Sequence, residues 1–496
     1  MKKVLVTLVF FLLPIKFLYS QNFGDFPKIG KERLLNDLEL LYQGLDKYHS
    51  GMYWYTPKDS VDFAFQEVKN KLNKDLNVLE FHKSIAPLVS LSREGHTNIN
   101  LPREIKKKMN TESKFLPLTV VFIDEELFCV KNGSNFKDLA FQGKEIELIN
   151  GEKPTDIVDK IGRLIPSDGF IKTSKYYSLR NFNLSVYYFY YYGEIDQFKI
   201  KFKGIQKPII LKSLRTEDIE ANLDKRYKDT KTVQVKDLLE YEILNDSTAY
   251  LGIHTFSNPT IDESYDNKDL SSFLKNSFKS IGENKINKLI IDMSKNGGGT
   301  EGNENLLYSY FGDNYQKYEK VRAKRQKAIL DNGTDEPITF KTFGFLEKLF
   351  GYKKMEGGSL ERKRKEWFGH GLMAYKKEPK YKYSGKVYVI ISPNTYSGGS
   401  EFCSMMYTRN LATFVGQETG GGYYGNTSGY SRELVLPNSE IVIDIPALQF
   451  VMNVEPKLKF GSGIKPDHKI IPTFQQRLNS DNVALHYILQ ELINYK

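Results

Sequence analysis

The chain has 496 residues, 40% of them hydrophobic and 13% aromatic, which excludes a disordered protein and leads us to expect two or three folded domains. Its formal charge of +10 falls to +7 without Lys2, Lys3 and Lys16, and much of the remaining excess lies in a basic stretch at 353–383, where a solvated loop is the ordinary outcome. No nucleic-acid module is legible and no His, Cys, Asp or Glu spacing suits a metal, so neither a nucleic-acid partner nor a metal or other cofactor is expected.

In chain order, Lys2 and Lys3 precede an apolar run, Val4 to Leu18, interrupted by Pro14 and Lys16 and followed by the small residue Ser20. This pattern predicts a signal peptide over 1–20 and an exported protein, periplasmic or secreted, with no stable membrane insertion. Residues 22–110 read as a helical region: Leu34, Leu35, Leu38, Leu40, Leu41 and Leu45 make a wide stripe, and Val61–Leu72 and Val78–Leu91 follow suit. The helical pattern ends at Ser92–Ile99, a stretch containing His96. Residues 113–215 turn β-rich, with alternation over Leu118–Val130 and aromatic, strand-like residues at 176–203. Gly143–Glu152 reads as a strand closed by an Asn-Gly turn before a helix over Thr155–Ile165, and this stretch resembles the middle of a PDZ domain. Cys129 and Cys403 fall in different domains and are expected as buried thiols.

Residues 238–475 alternate strand and helix, which argues for an α/β core. Strands at Thr248–Ile253 and Lys288–Met293 flank a helical stretch at Leu270–Ile281. The second strand runs into Ser-Lys-Asn-Gly-Gly-Gly (294–299) and a helix over Glu301–Phe311. A basic excursion at 346–385 interrupts the core, and 476–496 is expected as a C-terminal helix. The run Val387–Ile391 is a buried strand, stopped by Ser392-Pro393-Asn394 and followed by Ser397 and a helix over Glu401–Leu411. A serine between strand and helix sits beside free backbone N–H groups, which suits a nucleophile and its oxyanion. Amide hydrolysis also needs a base, and His96 could supply it, with the N–H groups of Gly298 and Gly398, or of Gly297, as oxyanion donors. Asp292, at the end of its strand, is read as an anchor for the glycine turn, and His49 as a shaper of the cleft wall or helical packing.

Arg-Glu-Gly-His-Thr (93–97), Leu-Ile-Ile-Asp-Met-Ser-Lys-Asn-Gly-Gly-Gly (289–299) and Val-Tyr-Val-Ile-Ile-Ser-Pro-Asn-Thr-Tyr-Ser-Gly-Gly-Ser-Glu-Phe (387–402) resemble the marker segments of the tail-specific and C-terminal processing serine peptidases. Gly-Gln-Glu-Thr-Gly-Gly-Gly (416–422) and Gly-Ile-Lys-Pro-Asp (463–467) resemble that family's last two blocks. The resemblance implies a crotonase/ClpP-like α/β core, a PDZ-like domain and serine endopeptidase activity on unfolded or tail-bearing polypeptides. The lysine base of the processing branch is missing from Thr419–Gly422, so the chain resembles the tricorn-core-like branch, in which His96 is base to Ser397. That branch orients its histidine through a downstream glutamate. Glu455 is the nearest candidate, with Glu94 and Glu418 as rivals. Two other functions are compatible with these residues: a non-catalytic peptide-binding protein, and a hydrolase of a non-peptide ester. The oligomeric state is not legible.

Overall fold

The computed structural model describes residues 26–136, 141–227, 238–264, 269–313, 315–324, 352–355, 359–362 and 379–493. The expected signal peptide and most of the basic excursion lie outside them. Among the described residues, no helix is long and apolar enough to cross a membrane.

The N-terminal region folds into helices Lys31–Tyr48, Lys58–Lys71 and Val78–Ser90. The third opens on a capping box: the Asn77 side chain accepts from the Leu79 and Glu80 N–H groups, and the Glu80 carboxylate accepts from the Asn77 N–H. The leucine stripe (Leu34, Leu38, Leu41, Leu45) is buried in one cluster with Leu436, Ile441, Ile443 and Ile445 from the far end of the chain. Burying each such side chain contributes about 1.5–3 kcal/mol, so this unit and the C-terminal half hold each other.

The β-rich region forms a five-stranded antiparallel sheet in the order Leu118–Ile123, Glu126–Asn132, Glu145–Ile149, Gln197–Phe202, Ile209–Lys212. Asn150 (φ 50°) and Gly151 (φ 84°) make the expected turn, and helix Pro154–Ile161 follows. The aromatic stretch departs from expectation, because Thr173–Ser178 and Asn183–Tyr192 are helices. Here Leu184 and Tyr188 pack into the core of the five-stranded sheet while Phe189 joins the N-terminal helices. A helix wedged between two cores is apolar all round, so its sequence shows neither period.

The C-terminal half is a layered α/β structure. Its main sheet runs Leu239–Asn245, Thr248–Ile253, Lys288–Asp292, Lys386–Ile391, Thr413–Gly416, His468–Lys469, parallel throughout except for the first strand. Its central strands are covered on both faces, which explains their unbroken apolar sequences. A second sheet contains Tyr318–Ala323, Val442–Met452 and Gly425–Val435, with Tyr352–Lys354 and Leu360–Arg362 at its edge. To Val442–Met452 is added a short antiparallel strand from the N-terminal region, Asn98–Asn100, with Ile99 opposite Ile443. The expected C-terminal helix is broken into Phe474–Leu478, Val483–Tyr487 and a π-turn at Ile488–Leu492. The break falls where Ser480 takes φ 59° and the Asn482 side chain caps the Leu485 N–H and donates to Asp292 Oδ2. Cys129 and Cys403 are buried free thiols in separate cores.

Candidate active site

Strand Lys386–Ile391 ends in a turn pinned to the neighbouring loop. Thr395 donates through Oγ1 to the Met293 carbonyl (2.8 Å), the Tyr396 N–H donates to the Asn296 carbonyl (3.0 Å), and the Asn394 amide donates to the Lys295 carbonyl (2.9 Å). The turn forces Ser397 to φ 51°, ψ −127° at the head of helix Gly398–Thr408. A non-glycine residue held there costs about 1–3 kcal/mol, and such strain collects at functional sites. The glycines of Thr419–Gly422 lie directly against this turn. The Gly420 and Gly421 N–H groups donate to the Thr395 carbonyl, and a Cβ on Gly421 would stand 2.2 Å from Ser400 Oγ.

The strand Asn98–Asn100 carries the preceding loop across to this turn, placing His96 Nε2 3.2 Å from Ser397 Oγ. Behind His96, Nδ1 lies 3.2 Å from the Tyr396 hydroxyl, which is 3.0 Å from Asp168 Oδ1. Asp168 also accepts the Gly95 N–H at 2.8 Å and the Gly422 N–H at 3.2 Å. Gly95 is needed for this approach, since a Cβ there would stand 2.3 Å from the Tyr396 hydroxyl oxygen. Burial pushes the His96 imidazole below its ordinary value, with the Asp168 and Glu401 charges partly opposing. His96 is therefore neutral at pH 7. His49 supports the loop from behind: its Nδ1 accepts the Gly51 N–H, so its Nε2–H donates to Thr97 Oγ1 at 2.7 Å.

Glu455 is not part of this arrangement. It is exposed; its N–H donates to Thr408 Oγ1 and its carbonyl accepts from Tyr423, so the backbone is fixed while the carboxylate faces solvent. Glu418 accepts the Gly463 N–H instead. Glu94 is buried two residues from His96, but its Oε2 accepts the Thr427 N–H, and burial together with the Asp168 charge pushes its carboxyl well up. The acid behind His96 is Asp168, in Pro-Ser-Asp-Gly (166–169), which reads from sequence only as a turn. Tyr396, beside the nucleophile candidate, was equally silent.

The glycine loop also departs from expectation. Gly298 (φ 96°) lies against the turn, where a Cβ would stand 2.7 Å from Ser397 Cβ and 2.9 Å from the Gly398 nitrogen. Its own N–H donates to Asn296 Oδ1 at 2.8 Å, so it is spent within the loop. The N–H groups of Gly398 and Gly297 have no acceptor among the described residues, and a Cβ on Gly297 would meet open space. Asp292 accepts from the Ser294 N–H, Tyr250 and Asn482, anchoring the loop as expected.

Beneath the helix, Lys317 is fully buried among Glu301 (2.5 Å), Glu304 and Glu401 (3.1 Å). The Tyr318 hydroxyl donates to Glu401 Oε2 at 2.7 Å, and the Asn426 amide donates to Glu401 Oε1 at 2.9 Å. Burial alone would raise Glu401, but Lys317 and these two donors hold it below the usual carboxylate range. Among the described residues these three carboxylates are the group whose spacing could suit a metal, and the Lys317 ammonium fills the space between them.

Residues 247–470 match the model of peptidase family S41. Over this stretch, a little under half of the chain, the protein is similar to that family. It is a serine-type peptidase. Among solved structures, mature CPAF complexed with lactacystin is similar with a TM-score of 0.60 at 16% identity, covering 93% of this chain and 98% of that one. Mature CPAF is similar with a TM-score of 0.57 at 15% identity, covering 93% and 97%. At such identities the likeness speaks to the fold alone, which this chain shares with both over nearly its whole length. No curated protein matches the sequence significantly. The S41 match begins at 247 and so leaves out the segment that carries His96 and Asp168.

Proposed function

We propose that this peptidase is an exported endopeptidase that cleaves unfolded or tail-bearing polypeptides through an acyl-enzyme on Ser397, with His96 as its general base. The observation that carries the reading is the 3.2 Å approach of His96 Nε2 to a serine held in a strained turn, between two segments 301 residues apart in sequence. His96 takes the Ser397 proton as Oγ attacks the peptide carbonyl, and returns it to the departing amine as the C–N bond breaks. A water molecule, deprotonated by the same imidazole, then releases the acyl group and restores Ser397. The free N–H groups of Gly398 and Gly297 serve the developing oxyanion, in place of Gly298.

The five-stranded sheet is read as a PDZ-like domain that receives an extended chain at its edge. In support, a cavity of about 380 Å³ is lined by Val121 and Phe122 of edge strand Leu118–Ile123, by Tyr176 and by Pro393 on the turn leading to Ser397. The test is digestion of a reduced, unfolded protein with the products read by mass spectrometry. Internal cuts that disappear in Ser397→Ala and His96→Ala are expected. Cleavage at the wild-type rate by Ser397→Ala would overturn the reading.

A further inference from the structure

We infer that Tyr396 and Asp168 are positioning residues that fix the tautomer of His96, forming a line Ser397–His96–Tyr396–Asp168 in place of a direct histidine–carboxylate contact. The inference rests on the proposed roles of Ser397 and His96 and extends them. Its logic starts at the buried end. Asp168 collects three donors, the N–H groups of Gly95 and Gly422 and the Tyr396 hydroxyl. Its neighbour Glu94 accepts only the Thr427 N–H, and its Oε1 has no partner among the described residues. Burial raises both carboxyls, the Asp168 charge pushes Glu94 further up, and the three donors on Asp168 favour its charged form. Asp168 is therefore the ionised member and Glu94 carries the proton.

An ionised Asp168 can only accept, so the single Tyr396 hydroxyl proton must point to Asp168 Oδ1. The lone pairs of that hydroxyl then face His96 Nδ1, 3.2 Å away, and Nδ1 must carry the imidazole hydrogen. This leaves the Nε2 lone pair facing Ser397 Oγ, as a general base requires. The same line accepts the imidazolium charge that forms when the Ser397 proton transfers. The ionisable groups around this line are Asp168, Glu94, Tyr55, Tyr396 and, from helix Gly398–Thr408, Glu401.

The test compares wild type with Tyr396→Phe, Asp168→Asn and Glu455→Gln, using steady-state peptide cleavage across pH and ¹⁵N resonances of labelled imidazole. Tyr396→Phe keeps the ring and should lower kcat by about 10²- to 10⁴-fold with KM little changed. It should also convert a single Nδ1–H tautomer of His96 into a mixture, a change that loosened packing alone would not produce. Asp168→Asn removes a charge that favours the imidazolium, so the acid limb of kcat/KM should move to lower pH. Wild-type kcat and a single Nδ1–H tautomer in Tyr396→Phe would overturn the inference, as would a crippled Glu455→Gln beside an intact Tyr396→Phe. If Ser397→Ala or His96→Ala retains turnover, the catalytic assignment fails instead, and the two failures are told apart.

Discussion

Ser397 occupies φ 51°, ψ −127°, a conformation that glycine adopts freely and alanine does not. Ser397→Gly and Ser397→Ala both lose the hydroxyl, so comparing them isolates the strain. Urea unfolding should find the glycine variant more stable than the alanine variant by about 1–3 kcal/mol, and equal stabilities would mean that the turn is unstrained. A second residue-scale effect concerns the buried imidazoles. Burial holds His49 down to about 3 and His82 down to about 4, against 6.5 when unfolded. The unfolded chain binds protons that the folded one refuses, so their contribution to stability is complete above about pH 6.5 and lost as pH falls toward the folded values. His82→Phe should therefore flatten the decline of unfolding free energy between pH 6.5 and 4; an unchanged slope would contradict the assignment. Which residues were legible follows the same physics. Ser397 and His96 were legible because both stand in segments that resemble the marker blocks of a peptidase family. Asp168 and Tyr396 owe their roles to neighbours far away in sequence, and the Gly298 N–H is taken by a side chain, Asn296, that no local pattern marks as its acceptor.

At the scale of elements, three pieces are tied together beneath Ser397 by one ammonium. Lys317 precedes strand Tyr318–Ala323, Glu304 lies on helix Asn303–Tyr308, and Glu401 lies on the helix that Ser397 heads. Lys317→Met removes the cation that pairs with these carboxylates and should cost about 3–5 kcal/mol, because breaking a buried ionic group leaves uncompensated charge. Adding Glu304→Gln should recover part of the loss in urea unfolding. No recovery would mean that the lysine acts by packing alone. Elements with one buried face were readable, as the leucine stripe of Lys31–Tyr48 shows. Helix Asn183–Tyr192 was mistaken for strand because both of its sides are covered, and the C-terminal break at Ser480 carries no proline or glycine to signal it.

At the scale of the molecule, the S41 match covers the parallel strands of the main sheet, yet neither the site nor the hydrophobic core is contained within it. His96 arrives on the loop that precedes a strand added to Val442–Met452, and Leu436, Ile441, Ile443 and Ile445 are covered by the N-terminal helices. A fragment comprising 238–496 should therefore expose these residues and aggregate, and co-expression with 26–227 should restore a soluble complex in size-exclusion chromatography. A monomeric, cooperatively folding fragment would contradict this view of a shared core. The central claim is that an N-terminal histidine activates a C-terminal serine. It is tested most directly by intact-mass spectrometry of the whole protein after exposure to a fluorophosphonate, beside Ser397→Ala and His96→Ala. The account predicts a single adduct on wild type, absent from Ser397→Ala and nearly absent from His96→Ala. Equal labelling of His96→Ala and wild type, or an adduct that survives in Ser397→Ala, would contradict it.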